Sequence, residues 1–127
     1  MSTQTSGTDA GRMFPVAMEC SMILIVVKWT IRPEYADSWM ERVAEFTAGT
    51  RAEPGNLFFE WNRSVEDPNV YTLVEGFRDD AAEAHVTSDH FKEAMSWMPD
   101  YVAKKPDIIN TTIPGDGWSE MAEVTPR

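Results

Sequence analysis

The stretch EPGNLFFEWNRSVEDPNVYTLVEGF, residues 53–77, decides the fold of this chain. It holds two runs rich in aromatic and β-branched side chains, at 57–63 and 70–77, and such runs favour strands. The turn signal Asp67-Pro68-Asn69 lies between the two runs. The stretch therefore predicts two antiparallel strands joined by a tight turn.

Alternation along a strand predicts which side chains share a face of the sheet. The first predicted strand places four side chains on one face, namely Leu57, Phe59, Trp61 and Arg63. Its other face carries Phe58, Glu60 and Asn62. One face of the second strand carries Tyr71, Leu73, Glu75 and Phe77. Glu75 is the exception in that row, because its carboxylate lies among three large apolar neighbours.

Both histidines of the chain follow this hairpin, on two predicted helices. Residues 79–86 predict a short helix that ends near His85, and Thr87 or Ser88 is the expected N-cap of the next helix. The second helix has an apolar stripe at helical spacing, formed by Phe91, Met95, Met98 and Val102. We expect Pro99 to kink or break this helix, because proline removes a backbone donor.

The flanking sequence completes the order of elements. Residues 22–31 are apolar on both faces and predict a central strand. Residues 33–49 predict one amphipathic helix, whose buried face holds Tyr35, Trp39, Val43 and Phe46. Residues 108–113 predict a fourth strand. The order β-α-β-β-α-β predicts an α+β fold of the ferredoxin-like type, with helices on one face of a four-stranded antiparallel sheet.

The other face of that sheet is apolar and has no predicted cover. An apolar face of that size favours association, so we expect two subunits to pack sheet to sheet as a dimeric α/β barrel. We also expect a flexible leader at residues 1–21, one domain at 22–118 and a tail at 119–127. Trp118, at the end of the domain, is expected to dock on protein, for example on a partner subunit.

Composition and charge disfavour several classes of partner. The chain has 127 residues and 43% hydrophobic content, which suits one domain with a core. A formal net charge of -10 disfavours nucleic acid and anionic membrane surfaces. The longest apolar run, residues 22–27, is too short to cross a bilayer. Cys20 is the single cysteine, so no intrachain disulfide is expected, and a cytoplasmic location fits.

Four segments, EPGNL at 53–57, DPN at 67–69, VEGF at 74–77 and EAHVTSDHF at 83–91, together resemble the antibiotic biosynthesis monooxygenase family. The likeness spans residues 22–117. It implies a homodimeric α+β barrel and a cofactor-independent monooxygenase. The implied substrates are dioxygen and a small electron-rich aromatic compound, such as a quinol or a polyketide phenol.

A haem-degrading branch shares this fold and has three characteristic positions. That branch carries an Asn on the first strand, a Trp before the last long helix and a haem-ligating His within it. The corresponding positions here hold Val27, His85 and Met95. All three differ, and without the axial imidazole we expect no haem.

His85 and Glu75 are the candidate catalytic residues. A neutral imidazole can take a phenolic or quinol proton, and a buried Glu75 can orient that imidazole or hold a proton. The residues alone leave other roles open. His85 can cap a helix end, and Glu75 can pair with Arg63 or Lys28.

Six further residues are candidates for binding substrate, namely Asn62, Trp61, Phe59, Tyr71, Trp29 and His90. The aromatic members can wall a pocket or form plain core. His90 lies off the buried stripe and is better explained as a surface residue of a first helical turn. Two histidines five positions apart do not share a helix face, so no metal site is expected. The glycines are isolated and form no phosphate-binding loop, so no nucleotide cofactor is expected.

Two other functions remain open for the same barrel. One is an isomerase or another enzyme that processes a small metabolite. A phosphorylated substrate would need the basic residues near the core, which are Lys28, Arg32, Arg51, Arg63, Arg78 and Lys92. The other is a non-catalytic dimeric protein that binds an apolar ligand, since fold alone does not establish catalysis.

Overall fold

The computed structural model describes residues 20–127, so residues 1–19 of the predicted leader lie outside the described part of the chain. The sheet is formed by the strands β1 Ser21–Thr30, β2 Asn56–Arg63, β3 Val70–Arg78 and β4 Asp107–Pro114. The helices are α1 Pro33–Ala36, α2 Trp39–Arg42, α3 Ala44–Arg51, α4 Ala82–Val86 and α5 Asp89–Trp97. A 3-10 turn, Met98–Asp100, follows α5.

The sheet has the strand order β2-β3-β1-β4, and every neighbouring pair is antiparallel. This order confirms the predicted ferredoxin-like α+β fold and the central place of β1. The register sets Glu75 of β3 opposite Ile25 of β1 and Phe59 of β2. Glu75 therefore lies in the middle of the sheet, on the face that packs against the helices.

The helical segment after β1 has three pieces, whereas the sequence predicts one continuous helix. The break at Ser38 has a local cause, since its hydroxyl donates to the carbonyl of Tyr35 (3.2 Å) and competes with helical bonding. Val43, with φ -91° and ψ 7°, forms the second break. Trp39, Val43 and Phe46 are nevertheless buried, which confirms the apolar stripe.

Helix α5 begins and ends where the sequence predicts. The Ser88 hydroxyl accepts from the backbone N–H of Phe91 (3.2 Å), and Pro99 lies in the 3-10 turn that ends the helix. The predicted stripe is wrong at Met95, which is 37% exposed, whereas Ala94 is fully buried.

The open face of the sheet, opposite the helices, carries Val26, Phe58 and Ile109, and Ile109 is 71% exposed. Trp118 lies against Phe58, with ring centroids 5.3 Å apart. Phe58 in turn crosses Gly76, where an added Cβ would lie 2.5 Å from the phenyl ring. A side chain at position 76 would therefore need the Phe58 ring to move. Trp118 docks on the sheet of its own chain.

No helix in the described part of the chain combines the length and apolarity needed to cross a membrane. The sheet-to-sheet dimer and the domain boundaries at 22 and 118 stay predictions.

Candidate active site

Three side chains from separate segments meet on the helix-covered side of the sheet. Glu53 Oε2 lies 2.9 Å from Nδ1 of His85, and the same oxygen contacts Nε2 of His90. Glu53 lies in the loop between α3 and β2, His85 in the last turn of α4 and His90 in the first turn of α5. The histidines thus lie on different helices, and the premise that their spacing keeps them from a common ligand is wrong.

The turn after α3 places Glu53. Its backbone N–H donates to the carbonyl of Thr50 (3.0 Å), which continues the end of the helix. Gly55, in the same turn, approaches Ala81 so closely that an added Cβ would lie 2.2 Å from the Ala81 methyl group. The backbone N–H of Arg78 donates to the Gly55 carbonyl (2.8 Å). These contacts join the turn to the end of β3 and bring the Glu53 carboxylate to α4.

Ser88 sets the spacing between the two histidines. Its hydroxyl donates to the carbonyl of His85 (2.6 Å) and accepts from the backbone N–H of Phe91 (3.2 Å). The end of α4 and the start of α5 are thus joined through one oxygen atom. His90 also depends on Gly49 of α3, where an added Cβ would lie 2.8 Å from Cγ of the imidazole.

Aromatic rings surround His85, which is 5% exposed. The ring centroids of Phe77 and Phe91 lie 4.8 and 5.1 Å from that of the imidazole. Those of Phe46 and Phe59 lie 6.0 and 6.3 Å away. Apolar walls reduce the dielectric screening between the Glu53 carboxylate and the imidazole.

The shared carboxylate determines which nitrogen of each imidazole is basic. An ionised carboxylate only accepts hydrogen bonds, so neutral His85 donates from Nδ1 and neutral His90 donates from Nε2. The free lone pair of His85 is then on Nε2. Side-chain exposure falls from 26% at His90 to 12% at Glu53 and 6% at His85, so the cluster leads from solvent into the interior.

Glu75 lies on the same side of the sheet and is 6% exposed. Burial, with a smaller contribution from the Glu53 carboxylate, raises the pKa of Glu75 to about 8. Its carboxyl group is therefore largely protonated at neutral pH. Within residues 20–127 neither pairing left open by the sequence forms, since Arg63 binds Asp37 at 2.8 Å and Lys28 lies on the open face.

The aromatic residues predicted to bind substrate belong to the core next to the cluster, and they are Phe59, Trp61, Tyr71 and Trp29. The Tyr71 hydroxyl donates to a backbone carbonyl of α1 (2.8 Å), and the Trp61 indole donates to the Thr47 hydroxyl (3.0 Å). The Trp29 indole N–H is buried without a partner in the described chain. Phe59 is the member of this set that also faces the His85 imidazole.

Asn62 lies on the opposite face of the sheet from the histidine pair. Its register partner is Thr72, and its amide donates to the carbonyls of Thr72 (3.3 Å) and Glu60 (3.2 Å). Adjacent residues of a strand point to opposite faces, so Trp61 reaches the core and Asn62 does not. Within one chain, the structure thus separates Asn62 from His85.

Glu53 is the site residue that sequence analysis missed, because Glu53-Pro54-Gly55 was interpreted only as a turn. The turn residues that follow Glu53 mark a loop, and loops carry many binding and catalytic side chains. Two glycines flank the residue, Gly49 and Gly55, and both leave space where another element approaches closely. These two glycines are the feature of the sequence that could have indicated close packing around Glu53.

The cluster lies within the part of the chain that matches a known family. The family model described as Antibiotic biosynthesis monooxygenase matches residues 22–97. The chain belongs to the antibiotic biosynthesis monooxygenase family. The match includes Glu53, His85 and His90, so the cluster is part of the family domain.

Three relatives of this family member are distant in sequence. YcnE of Bacillus subtilis strain 168, named as a candidate monooxygenase, is 22% identical over 93 residues, which are 72% of this chain and 98% of YcnE. A candidate family member from Caulobacter crescentus CB15 is 26% identical, with a TM-score of 0.68 and coverage of 79% of this chain and 92% of that one. Another, from Nitrosomonas europaea, is 20% identical, with a TM-score of 0.67 and coverage of 76% and 92%. These structures support the fold assignment.

Proposed function

We propose that the protein is a cofactor-independent monooxygenase that oxidises a small electron-rich aromatic compound, such as a quinol or a polyketide phenol, with dioxygen. The observation that carries this proposal is the buried pair of His85 and Glu53, because it offers a base within apolar walls. Family membership supports the same activity, as does the relative named as a candidate monooxygenase.

His85 is the proposed base. Its Nε2 takes the phenolic proton, and the imidazolium that forms keeps its Nδ1–H on the Glu53 carboxylate. Glu53 is thus a positioning residue that stabilises the charged imidazole, and His90 holds the same carboxylate oxygen from the other side. The surrounding rings exclude water, which strengthens the attraction between carboxylate and imidazolium.

The deprotonated substrate supplies the electrons in this mechanism. It gives one electron to dioxygen, and the substrate radical and superoxide combine into a peroxide on a substrate carbon. Protonation of the peroxide, followed by loss of the hydrogen on that carbon, releases water and leaves a carbonyl group. One oxygen atom thus enters the product. Glu75, largely protonated at neutral pH, is the proposed donor of a proton to the peroxide.

A homodimer that closes through the open face of the sheet is part of the proposal. That face carries Val26, Phe58 and Ile109, and Ile109 is 71% exposed. Exposed apolar side chains on one face favour burial against a second copy. Asn62 lies on this face too, so in the dimer it would meet the partner subunit rather than its own His85.

The alternatives have less support. Of the basic residues that a phosphorylated substrate needs, Arg63 pairs with Asp37, and Arg51 donates twice to the Phe59 carbonyl. A ligand-binding protein without turnover shares the described features, so a kinetic experiment separates it from an enzyme.

Oxygen uptake with a panel of quinols tests the proposal. We expect the wild type to consume dioxygen with at least one quinol, and we expect His85→Ala to lower the rate by about 100-fold or more, as for loss of a general base. Glu83→Gln is the matched control, because Glu83 is exposed on the same helix and should leave the rate unchanged. An inactive wild type, or an equal rate in His85→Ala, would contradict the proposal.

A further inference from the structure

We propose that Glu53, His85 and His90 also form a binding site for one divalent transition-metal ion, such as Zn²⁺, and that the bound ion switches off the base. Metal binding depends only on the geometry of the three side chains. The effect on turnover rests on the proposed function as well.

The donor atoms have the chemistry of a transition-metal site. Each residue offers one ligand atom, and the three atoms all lie within 4.8 Å of one another. Two imidazole nitrogens and one carboxylate oxygen form a set that suits zinc and its neighbours. Three protein ligands leave a fourth position open to water, as in sites that exchange their ion or bind a further ligand.

A small movement is enough to admit an ion. Glu53 Oε2 and His85 Nδ1 are 2.9 Å apart, which is a hydrogen-bond distance. Two ligands of a tetrahedral ion, each at about 2.1 Å from it, lie about 3.4 Å apart. This pair must therefore widen by about half an ångström, and the shorter contact between Glu53 and His90 must widen further. Rotation of the Glu53 and His90 side chains can supply both movements. His90 is 26% exposed on its side chain, so the ion has an entry from solvent.

The chain holds the donors in place and draws cations towards them. Gly49 leaves room for the His90 ring, and the Ser88 hydroxyl joins the two helices that carry the histidines. Such supporting contacts orient metal ligands and raise affinity. The formal net charge of -10 raises the local concentration of cations around the protein.

An ion at this site would remove the proposed base by exchanging a proton. In the metal-free protein Nδ1 of His85 carries hydrogen and Nε2 carries the lone pair. A metal ion needs the lone pair on Nδ1, so the Nδ1 proton leaves to solvent and a proton from solvent binds Nε2. Nε2 of His85 then already carries a hydrogen and cannot accept the substrate proton. The net proton count is unchanged, and the basic nitrogen is occupied.

Titration of the full chain, first treated with a chelator, with Zn²⁺ tests the site directly. We expect calorimetry to show one ion bound per chain. We expect His90→Gln and Glu53→Gln each to weaken binding by about tenfold or more, since even loss of a supporting contact costs that much. Glu93→Gln, an exposed change of the same charge on α5, should bind like the wild type.

Long-range ¹H–¹⁵N correlation spectra give a second readout that needs no variant. We expect Zn²⁺ to move the proton of His85 from Nδ1 to Nε2, and that of His90 from Nε2 to Nδ1. Absence of stoichiometric binding, equal affinity in the ligand variants, or unchanged tautomers with Zn²⁺ bound would overturn the proposal. If the ion binds but no quinol is oxidised, the metal site stands and the proposed oxygenase function fails.

Discussion

Glu53 and His85 are 32 positions apart in the chain, yet Oε2 of one lies 2.9 Å from Nδ1 of the other. The turn at Gly55 brings Glu53 to α4, and the Ser88 hydroxyl bonds to the backbone of His85 at the end of that helix. A carboxylate on Nδ1 leaves the lone pair on Nε2, so the contact determines the tautomer of the neutral imidazole. The proposed chemistry depends on that one hydrogen bond.

Replacing the Glu53 carboxylate should lower turnover and leave substrate binding nearly unchanged. Glu53→Gln removes the charge that stabilises the imidazolium, so we expect kcat to fall on the order of 100-fold with KM little altered. Glu53→Asp restores the charge on a shorter side chain and should recover part of the rate. Oxygen uptake under saturating quinol gives kcat, and Glu83→Gln serves as the control. A higher KM with unchanged kcat would show instead that Glu53 acts in substrate binding.

Glu75→Gln should change how stability depends on pH. The pKa of Glu75 rises from 4.5 to about 8 on folding, so the folded chain keeps a proton that the unfolded chain releases. The stability from this proton is fully present below about pH 4.5 and is lost as the pH rises through about 8. Between about pH 4.5 and 8, Glu75 lowers the free energy of unfolding by about 1.4 kcal/mol for each pH unit of increase.

The neutral amide that replaces the carboxyl group in this variant has no such slope. We therefore expect Glu75→Gln to be more stable than the wild type at pH 9, by about 2 kcal/mol or more, and to approach it at pH 5. Urea unfolding at several pH values measures this difference, with the exposed change Glu93→Gln as the control. Parallel pH curves for Glu75→Gln and the wild type would show that burial does not shift this carboxyl group.

Gly49→Ala should act through His90. Alanine in a helix is ordinarily worth about 1 kcal/mol over glycine, but the new Cβ would lie 2.8 Å from the His90 ring, so we expect a net loss of stability. In the His90→Ala background the imidazole is gone and the Cβ of residue 90, at 3.0 Å, is the contact that remains, so Gly49→Ala should be clearly less destabilising there. A thermodynamic cycle over the four proteins measures the coupling. The same effect of Gly49→Ala in both backgrounds would rule out the contact.

Val26→Asp should break the proposed dimer. The substitution puts a charge on the open face, where a second copy is expected to pack, and a buried unpaired charge is strongly unfavourable. Sedimentation equilibrium should give a dimer mass for the wild type and a monomer mass for Val26→Asp. Val65→Asp, in a loop where Val65 is fully exposed, should remain a dimer. A monomeric wild type would refute the dimer.

The strands were predictable because periodicity of two is a local signal. Phe59, Leu73 and Glu75 share the covered face, as alternation requires, and the buried carboxyl group was apparent from its apolar neighbours. The single predicted helix is wrong because the chain breaks at Ser38, where the hydroxyl bonds to a backbone carbonyl, and again at Val43, and the apolar stripe shows neither break.

The cluster was harder to predict because its members come together only in three dimensions. His85 could be named from chemistry, yet its partner Glu53 reads as a turn residue. The chain turns at Ser88, between α4 and α5, so that His90 contacts the same Glu53 oxygen as His85. Because the two histidines lie on different helices, their spacing in the sequence does not predict whether they meet. Asn62 is not part of the cluster because its side chain lies on the open face of the sheet, whereas α4 and His85 lie on the covered face.

The bridging hydroxyl of Ser88 has a practical meaning for protein engineering. A single atom ties the carbonyl of His85 to the N–H of Phe91, so Ser88 holds together the backbone segments that carry the two imidazoles. Anyone grafting this pair onto another scaffold should transfer residues 85–91 as an intact cassette, together with a glycine-bearing helix to receive it.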